Sequence, residues 1–101
     1  MKPEPQFVVF HRAGPKWRRG AAPFEQDGAR EHIAHYRAML ETGKLLLGGP
    51  FMDEDGGGMM IAQKGVGLEE LADFAARDPA VESGLLSVEI RPWFIGMSAG
   101  A

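Results

Sequence analysis

The chain alternates between short apolar runs and longer segments with helical spacing. Three runs, Phe7–Phe10, Leu45–Leu47 and Met59–Ala62, are apolar throughout and have glycine or proline nearby. Short apolar runs bounded in this way predict strands. In Leu85–Arg91 apolar and polar residues alternate, which predicts a fourth strand with one buried face.

The longest helical segment lies between the first two predicted strands. It would run from about residue 28 to Thr42, with Asp27 as the N-cap and Gly43 as the C-terminal stop. An amphipathic helix buries the stripe of apolar residues that recurs every three or four positions. The predicted stripe consists of Ala29, Ile33, Tyr36, Leu40 and Gly43.

Two histidines lie at different angles from this stripe. At about 100° per residue, His32 falls roughly 50° from the centre of the stripe and His35 roughly 110° away. We therefore expect His32 to point towards the interior margin of the fold, one turn from Tyr36. His35 is expected to be more hydrated and to lie on the surface.

A second helix is predicted over Leu68–Arg77, and it ends at Asp78-Pro79. Proline disfavours helical conformation in the residue before it and suits the first position of a new turn. Asp78 is thus expected to cap a short turn that Gly84 closes. The helical spacing predicts a buried side made of Leu71, Phe74 and Ala75.

The predicted order of elements is β-α-β-β-α-β. This order is typical of the α+β ferredoxin-like plait, in which two helices cover one side of an antiparallel sheet. Residues 1–101 would form one domain, with an ordered core over about residues 6–96 and short mobile termini. The first strand is apolar on both faces, so the sheet face away from the helices needs cover. We predict a symmetric homodimer in which two copies stack these faces.

Composition narrows the classes of function. The 101 residues include no cysteine, which excludes disulfides, thiolate metal sites and thiol nucleophiles. The formal net charge of −3 argues against a nucleic-acid partner. The chain has no signal-peptide pattern and no apolar stretch near the roughly 20 residues that span a bilayer, so we expect no membrane association and a cytoplasmic location.

Candidate chemistry rests on histidine, which suits general acid/base work because it changes charge near neutral pH. His32 is either such a group or a hydrogen-bonded structural residue at a helix margin. His11, at the end of the first strand, is either a site residue or a strand-end polar residue. Arg91, on the polar face of the last strand, could bind an anionic substrate group or form an ion pair. Neither metal-binding nor phosphate-loop spacings occur, so no metal or other cofactor is predicted.

The loop over residues 16–26 carries Trp17, Arg18 and Arg19. One interpretation is a solvated loop with Trp17 folded onto the edge of the core. The other is a lid or an anion contact over a site.

The middle of the chain resembles the YciI-related (YCII) domain family. The resemblance rests on the spacing of His32, Tyr36, Leu40, Gly43, Leu45, Leu46, Gly49 and Pro50. The second half is similar to that family in Asp78-Pro79, Gly84-Leu85 and Arg91-Pro92-Trp93, and the opening FVVFHRAGP also looks like one of its subgroups. Together these segments cover about residues 6–96.

The resemblance implies the dimeric ferredoxin-like α+β barrel that muconolactone isomerase and related small enzymes share. It also implies a histidine–aspartate pair in a pocket by the sheet, and by position these residues are His32 and Asp78. Ala80 stands where the family often has an aromatic residue, which removes a bulky wall from the implied pocket. The candidates for substrate binding are His11, Tyr36, Pro50 and Arg91.

A few members of this family act as dehydrochlorinases on chlorinated hydroxyquinone-type substrates. We therefore expect a small dimeric enzyme in which His32 acts as acid or base and Asp78 orients it. The substrate would be a small organic molecule, cyclic or aromatic, and the reaction a cofactor-independent elimination, isomerisation or dehalogenation. The alternative is a non-catalytic small-molecule-binding or accessory dimer with a structural histidine–aspartate pair. A third hypothesis, a partner of stress or sigma-factor proteins, rests on the resemblance alone.

Overall fold

The computed structural model describes residues 4–100. Residues 1–3 and 101, which belong to the termini predicted to be mobile, lie outside this range. The described residues form four strands, three α-helices and a short 3-10 helix, Pro23–Glu25. Their bounds are β1 Gln6–Ala13, α1 Ala29–Glu41, β2 Leu45–Pro50, β3 Gly58–Ala62, α2 Leu68–Ala76, α3 Pro79–Ser83 and β4 Leu86–Trp93.

The strands form one antiparallel sheet in the order β2-β3-β1-β4. This mixed α+β architecture is compatible with the ferredoxin-like plait, and the predicted order of elements is confirmed. Pro79–Ser83 adds a short third helix where the sequence predicted a turn. None of the helices within residues 4–100 has the length and apolar character that crossing a membrane would require.

Helix α1 begins differently from the prediction and ends as predicted. Asp27 is not its N-cap. Gly28 takes that position in a left-handed conformation, with no side-chain cap. At the other end Gly43 is also left-handed, and the amide of Lys44 donates to the carbonyl of Met39, as in a Schellman motif.

Strand β2 is longer than the prediction, which ended it at Leu47. Gly48, Gly49 and Pro50 continue it and pair with β3. Because β2 is an edge strand, the missing amide hydrogen of Pro50 costs no ladder hydrogen bond. Strand β4 likewise continues past Arg91 to Trp93, also at an edge of the sheet.

The core lies between the sheet and the helices. Its buried members come from both strands and helices: Val9, Tyr36, Met39, Leu45, Ala62, Leu71 and Ala75. A smaller buried cluster, Ala80, Leu85 and Leu86, joins α3 to β4, and the half-buried Trp17 packs against it. These two clusters hold β1, α1 and α3 together where their polar side chains meet.

The apolar stripe of α1 is only partly in the core. Ala29 and Tyr36 are buried as predicted, whereas Ile33 is 38% exposed and Leu40 49% exposed. The prediction that these two residues are buried is wrong. Helical spacing identified the correct side of the helix, but an open cavity rather than packed protein faces Ile33 and Leu40.

Candidate active site

Three elements bring four polar side chains together at one end of the core. β1 contributes His11, α1 contributes His32 and Tyr36, and Asp78 lies at the start of α3. His32 Nδ1 lies 2.6 Å from Asp78 Oδ2, and His11 Nε2 lies 3.9 Å from the same oxygen. The Tyr36 hydroxyl lies 3.4 Å from His11 Nε2. The site therefore joins residues that are far apart in the chain.

Asp78 has no exposed surface, and both of its oxygens accept hydrogen bonds. Oδ1 accepts from the backbone amide of Ala80 at 2.9 Å, which caps α3 as the sequence predicted. Oδ2 accepts from Nδ1 of His32 at 2.6 Å, a short contact of the kind that a charged acceptor favours. The same carboxylate thus stabilises a helix end and orients a histidine.

His32 is more exposed to solvent than His11 and Asp78. Its side chain is 16% exposed, against 1% for His11 and 0% for Asp78. Because Nδ1 donates to a carboxylate, the neutral imidazole carries its proton there, and Nε2 has a free lone pair. His32 can therefore accept a proton from a molecule beside it and is held for that task by Asp78.

His11 and Tyr36 are kept uncharged near neutral pH. Burial, reinforced by His32, lowers the pKa of His11 from its ordinary 6.5 to about 4, although Asp78 opposes this change. Burial, together with the negative charge of Asp78, raises the pKa of the Tyr36 hydroxyl. Within residues 4–100 the Nδ1 atom of His11 is buried and has no hydrogen-bond partner.

The lowered pKa of His11 predicts acid sensitivity. Between pH 6.5 and about 4 the histidine takes up a proton in the unfolded chain but not in the folded one, so the unfolded chain is favoured. The free energy of unfolding should therefore fall as the pH drops through this window, by about 3 kcal/mol at its lower end. Urea denaturation at pH 7 and pH 4.5 measures this contribution as the difference between the wild-type protein and His11→Gln. Equal pH dependence of the two proteins would contradict the prediction.

A cavity of about 350 Å³ opens beside His32, between α1, the β2–β3 hairpin and the loop that follows β1. His11, His32 and Tyr36 line it, and most of the other lining residues are apolar or glycine. Its walls include Trp17, Phe24, Ile33, Leu40, Leu45, Met60, Leu85 and Leu86, with Gly48, Gly49, Pro50, Gly57 and Gly58 on the side of the hairpin. Such a space suits a small organic molecule.

The loop between β1 and α1 is held by a residue that sequence reasoning missed. Gln26 is 4% exposed. Its side chain donates to the carbonyls of Arg18 and Ala21 and accepts from the amide of Arg18. This internal anchor supports Trp17, which packs on the α3–β4 cluster and also lines the cavity. Neither helical spacing nor strand alternation extends to a single glutamine in a loop, so no sequence pattern indicated this role.

Two further residues that the sequence predicted for the site differ in their position relative to the cavity. Pro50 lines the cavity, but Arg91 does not. Arg91 alternates along β4 with Ile90, which packs on the core, so Arg91 lies on the sheet face away from the helices.

His35 is half-buried, so the prediction that it lies hydrated on the surface holds only in part. The His35 ring stacks on Phe74 at 3.9 Å between ring centroids, and Nε2 donates to the carbonyl of Phe74 at 2.7 Å. The helical wheel located the flank of α1 on which His35 lies. It did not show that α2 covers that flank.

Three of these four side chains are also close enough together to bind one metal ion. His11, His32 and Asp78 each offer a ligand atom, and these atoms lie within 4.8 Å of one another. The search for metal-binding spacings in the sequence missed this set, because its members lie on three different elements. In the described geometry His32 and Asp78 are joined by a hydrogen bond.

Comparison with known proteins identifies the family. The sequence model of the YCII-related domain matches residues 6–94. The chain belongs to the YCII-related domain family. Its structure is similar to that of a 5-chloro-2-hydroxyhydroquinone dehydrochlorinase from Burkholderia phenoliruptrix AC1100, solved in complex with 2,5-dihydroxybenzoquinone. The TM-score is 0.68 at 20% identity, covering 90% of this chain and 95% of that one, and this likeness supports the fold. No curated protein matches this YCII-related chain.

Proposed function

We propose that this YCII-related protein is a small enzyme in which His32 acts as general acid or base and Asp78 orients it. The substrate is a small cyclic or aromatic organic molecule, and the chemistry is proton transfer without a cofactor. The observation that carries the proposal is the 2.6 Å contact between His32 and the fully buried Asp78, at the wall of the apolar cavity.

The geometry suits reactions that begin with removal of a proton. Nε2 of His32 takes the proton, and the carboxylate of Asp78 stabilises the imidazolium that results. Elimination, isomerisation and dehydrochlorination all fit this step. In a dehydrochlorination the substrate loses a proton and a chloride ion, so no oxidant or reductant is needed. Since the structurally similar protein is a dehydrochlorinase, this reaction is the first to test.

The test uses 5-chloro-2-hydroxyhydroquinone as the probe substrate and measures the chloride that is released. We expect release above the uncatalysed rate, and a loss of at least about a hundredfold in His32→Gln. His35→Gln is the matched control, because His35 lies on the same helix and contacts Phe74 rather than Asp78. Thermal unfolding of both variants shows whether the fold is intact.

Deuterium incorporation into 2,5-dihydroxybenzoquinone in D₂O gives a second readout, because it reports proton transfer without loss of chloride. Absence of both activities in the wild-type protein, or full activity in His32→Gln, would contradict the enzyme proposal.

The second candidate is a non-catalytic small-molecule-binding or accessory protein. It is favoured by the role of Asp78 in capping α3, which gives the pair a structural reason to exist. Under this reading His32→Gln lowers the melting temperature, and the protein binds the quinone probe without changing it.

We further propose that two copies form a homodimer through the sheet face that points away from the helices. This sheet face consists of Val8, Phe10, Leu47, Met59 and Ile61, which are paired across β1, β2 and β3. Ile61 is already buried within the protomer. Leu47 is 54% exposed, and covering it would remove apolar surface from water. Light scattering over a dilution series tests this proposal, and a monomer at every concentration would contradict it. A cytoplasmic location and the single domain over residues 1–101 remain predictions.

A further inference from the structure

The cavity beside His32 is lined by one permanently charged side chain. Among residues 4–100 its lining includes Arg37 but no lysine, aspartate or glutamate. An otherwise apolar wall with a single cationic group favours a ligand that is mostly apolar and carries one negative charge.

Arg37 forms no ion pair with any of residues 4–100. Three lysine or arginine side chains in this range do form one, and these pairs join Arg12 to Glu89, Lys44 to Glu70 and Arg77 to Asp73. None of these ion pairs includes Arg37. The guanidinium is therefore available to a molecule in the cavity.

Arg37 and His32 mark the two edges of the part of α1 that lines the cavity. They are about 140° apart around the helix and about 7.5 Å apart along its axis. Ile33 and Leu40 fall between them and present apolar surface to the cavity. A ligand lying along this wall would meet the proposed base at one end and the guanidinium at the other.

The opposite wall is formed by the β2–β3 hairpin. Gly48, Gly57 and Gly58 line it without side chains. Protein atoms already fill the Cβ positions of these glycines, since the sulfur of Met60 and the backbone carbonyls of His11 and Gly49 lie there. The wall is therefore a backbone surface from which these residues project no side chain, and such a surface suits a flat molecule. Trp17 and Phe24 add aromatic surface at the edge of the cavity.

We infer that the cavity binds a planar ring with an anionic substituent, a carboxylate or an ionised ring hydroxyl, and that Arg37 recognises this substituent. The inference rests on the proposed function, since it places the reacting end of the ring at His32. It assigns to Arg37 the anion-binding role that the sequence suggested for Arg91 as one of two alternatives. Arg37 determines which substrate is bound, and His32 carries out the chemistry.

Two probes that share the same dihydroxyphenyl ring, one with an anionic and one with a neutral substituent, test this inference. Isothermal titration calorimetry compares 2,5-dihydroxybenzoate with its neutral counterpart, 2,5-dihydroxybenzyl alcohol. We expect the wild-type protein to bind the carboxylate at least about tenfold more tightly, with a preference that weakens as the salt concentration rises. Arg37→Met should bring the two affinities together, and Arg37→Lys should keep part of the preference.

Arg30→Met is the matched control, because Arg30 lies on the same helix but does not line the cavity. It should leave the preference unchanged. Equal binding of the two probes by the wild-type protein, binding of neither, or an unchanged preference in Arg37→Met would overturn the inference.

His32→Gln separates this inference from the proposed function. If that variant keeps both the carboxylate preference and full chloride release, the acid/base proposal fails while anion recognition stands. If it loses chloride release in a protein that shows no carboxylate preference, anion recognition fails while the acid/base proposal stands.

Discussion

Asp78→Asn is expected to lower the rate of chloride release from the probe substrate by about a thousandfold or more, with the fold retained. Oδ1 of Asp78 accepts a hydrogen bond from the amide of Ala80, so the side-chain carbonyl of an asparagine is held on that side. Its NH₂ group then occupies the position of Oδ2, which faces Nδ1 of His32. His32 must accept at Nδ1 and carry its proton at Nε2, where it cannot act as a base.

The change of tautomer can be observed directly. ¹⁵N NMR of the histidine ring should show the proton on Nδ1 in the wild-type protein and on Nε2 in Asp78→Asn. Asp73→Asn is a suitable control, because Asp73 pairs with Arg77 on the exposed side of α2. An Asp78→Asn protein with wild-type turnover would show that the carboxylate does not act through His32.

Asp78→Ala separates the structural role of this carboxylate from its chemical one. The alanine variant loses the cap on α3 as well as the bond to His32, so we expect it to be about 2–4 kcal/mol less stable than the wild-type protein. Asp78→Asn keeps the cap and should lose less. Urea denaturation of the two variants measures the difference.

Gly57→Ala is expected to destabilise the protein by about 3–5 kcal/mol. Gly57 has a φ of +80°, and a Cβ there would lie 2.2 Å from the carbonyl oxygen of His11. Because that oxygen belongs to the backbone of β1, the collision cannot be relieved by a side-chain rotation. A domain of this size has a total stability of about 5–15 kcal/mol, so much of it would be lost.

Gly43→Ala distinguishes this collision from backbone strain alone. Gly43 has a φ of +78°, but no atom lies within 4 Å of a Cβ built there. The control should therefore lose only about 1–2 kcal/mol. Denaturant unfolding compares the two variants, and equal losses would contradict the argument. Gly57→Ala should also weaken binding of the probes, since it displaces the strand that carries His11.

The sequence predicted those parts of the fold that depend on local patterns. Strand-forming runs, helical stripes and the Asp78-Pro79 boundary each depend on neighbours in the chain, and they place the elements in the correct order. The errors lie at boundaries where tertiary contacts intervene. The edge position of β2 permits Pro50 to extend it, and Gly28 replaces Asp27 at the start of α1.

The candidate site was predicted in part, and for two different reasons. Helical geometry alone separated His32 from His35, because the angle around α1 is a local property. The partnership with Asp78 came from the family resemblance, since no periodicity connects residues that are 46 positions apart. Arg37 and Gln26 carried no sequence signal, because their roles depend on the cavity and the loop around them.

The sequence by itself determined the four strands, the two longer helices, their order and the side of α1 that turns inward. Only the tertiary structure decided what lies opposite each residue on that side. It places packed protein against Tyr36, an open cavity against Ile33 and Leu40, and a buried carboxylate against His32. The physical reason is that propensity and periodicity act over a few residues, whereas burial, cavities and pKa shifts depend on groups that only the folded chain brings together.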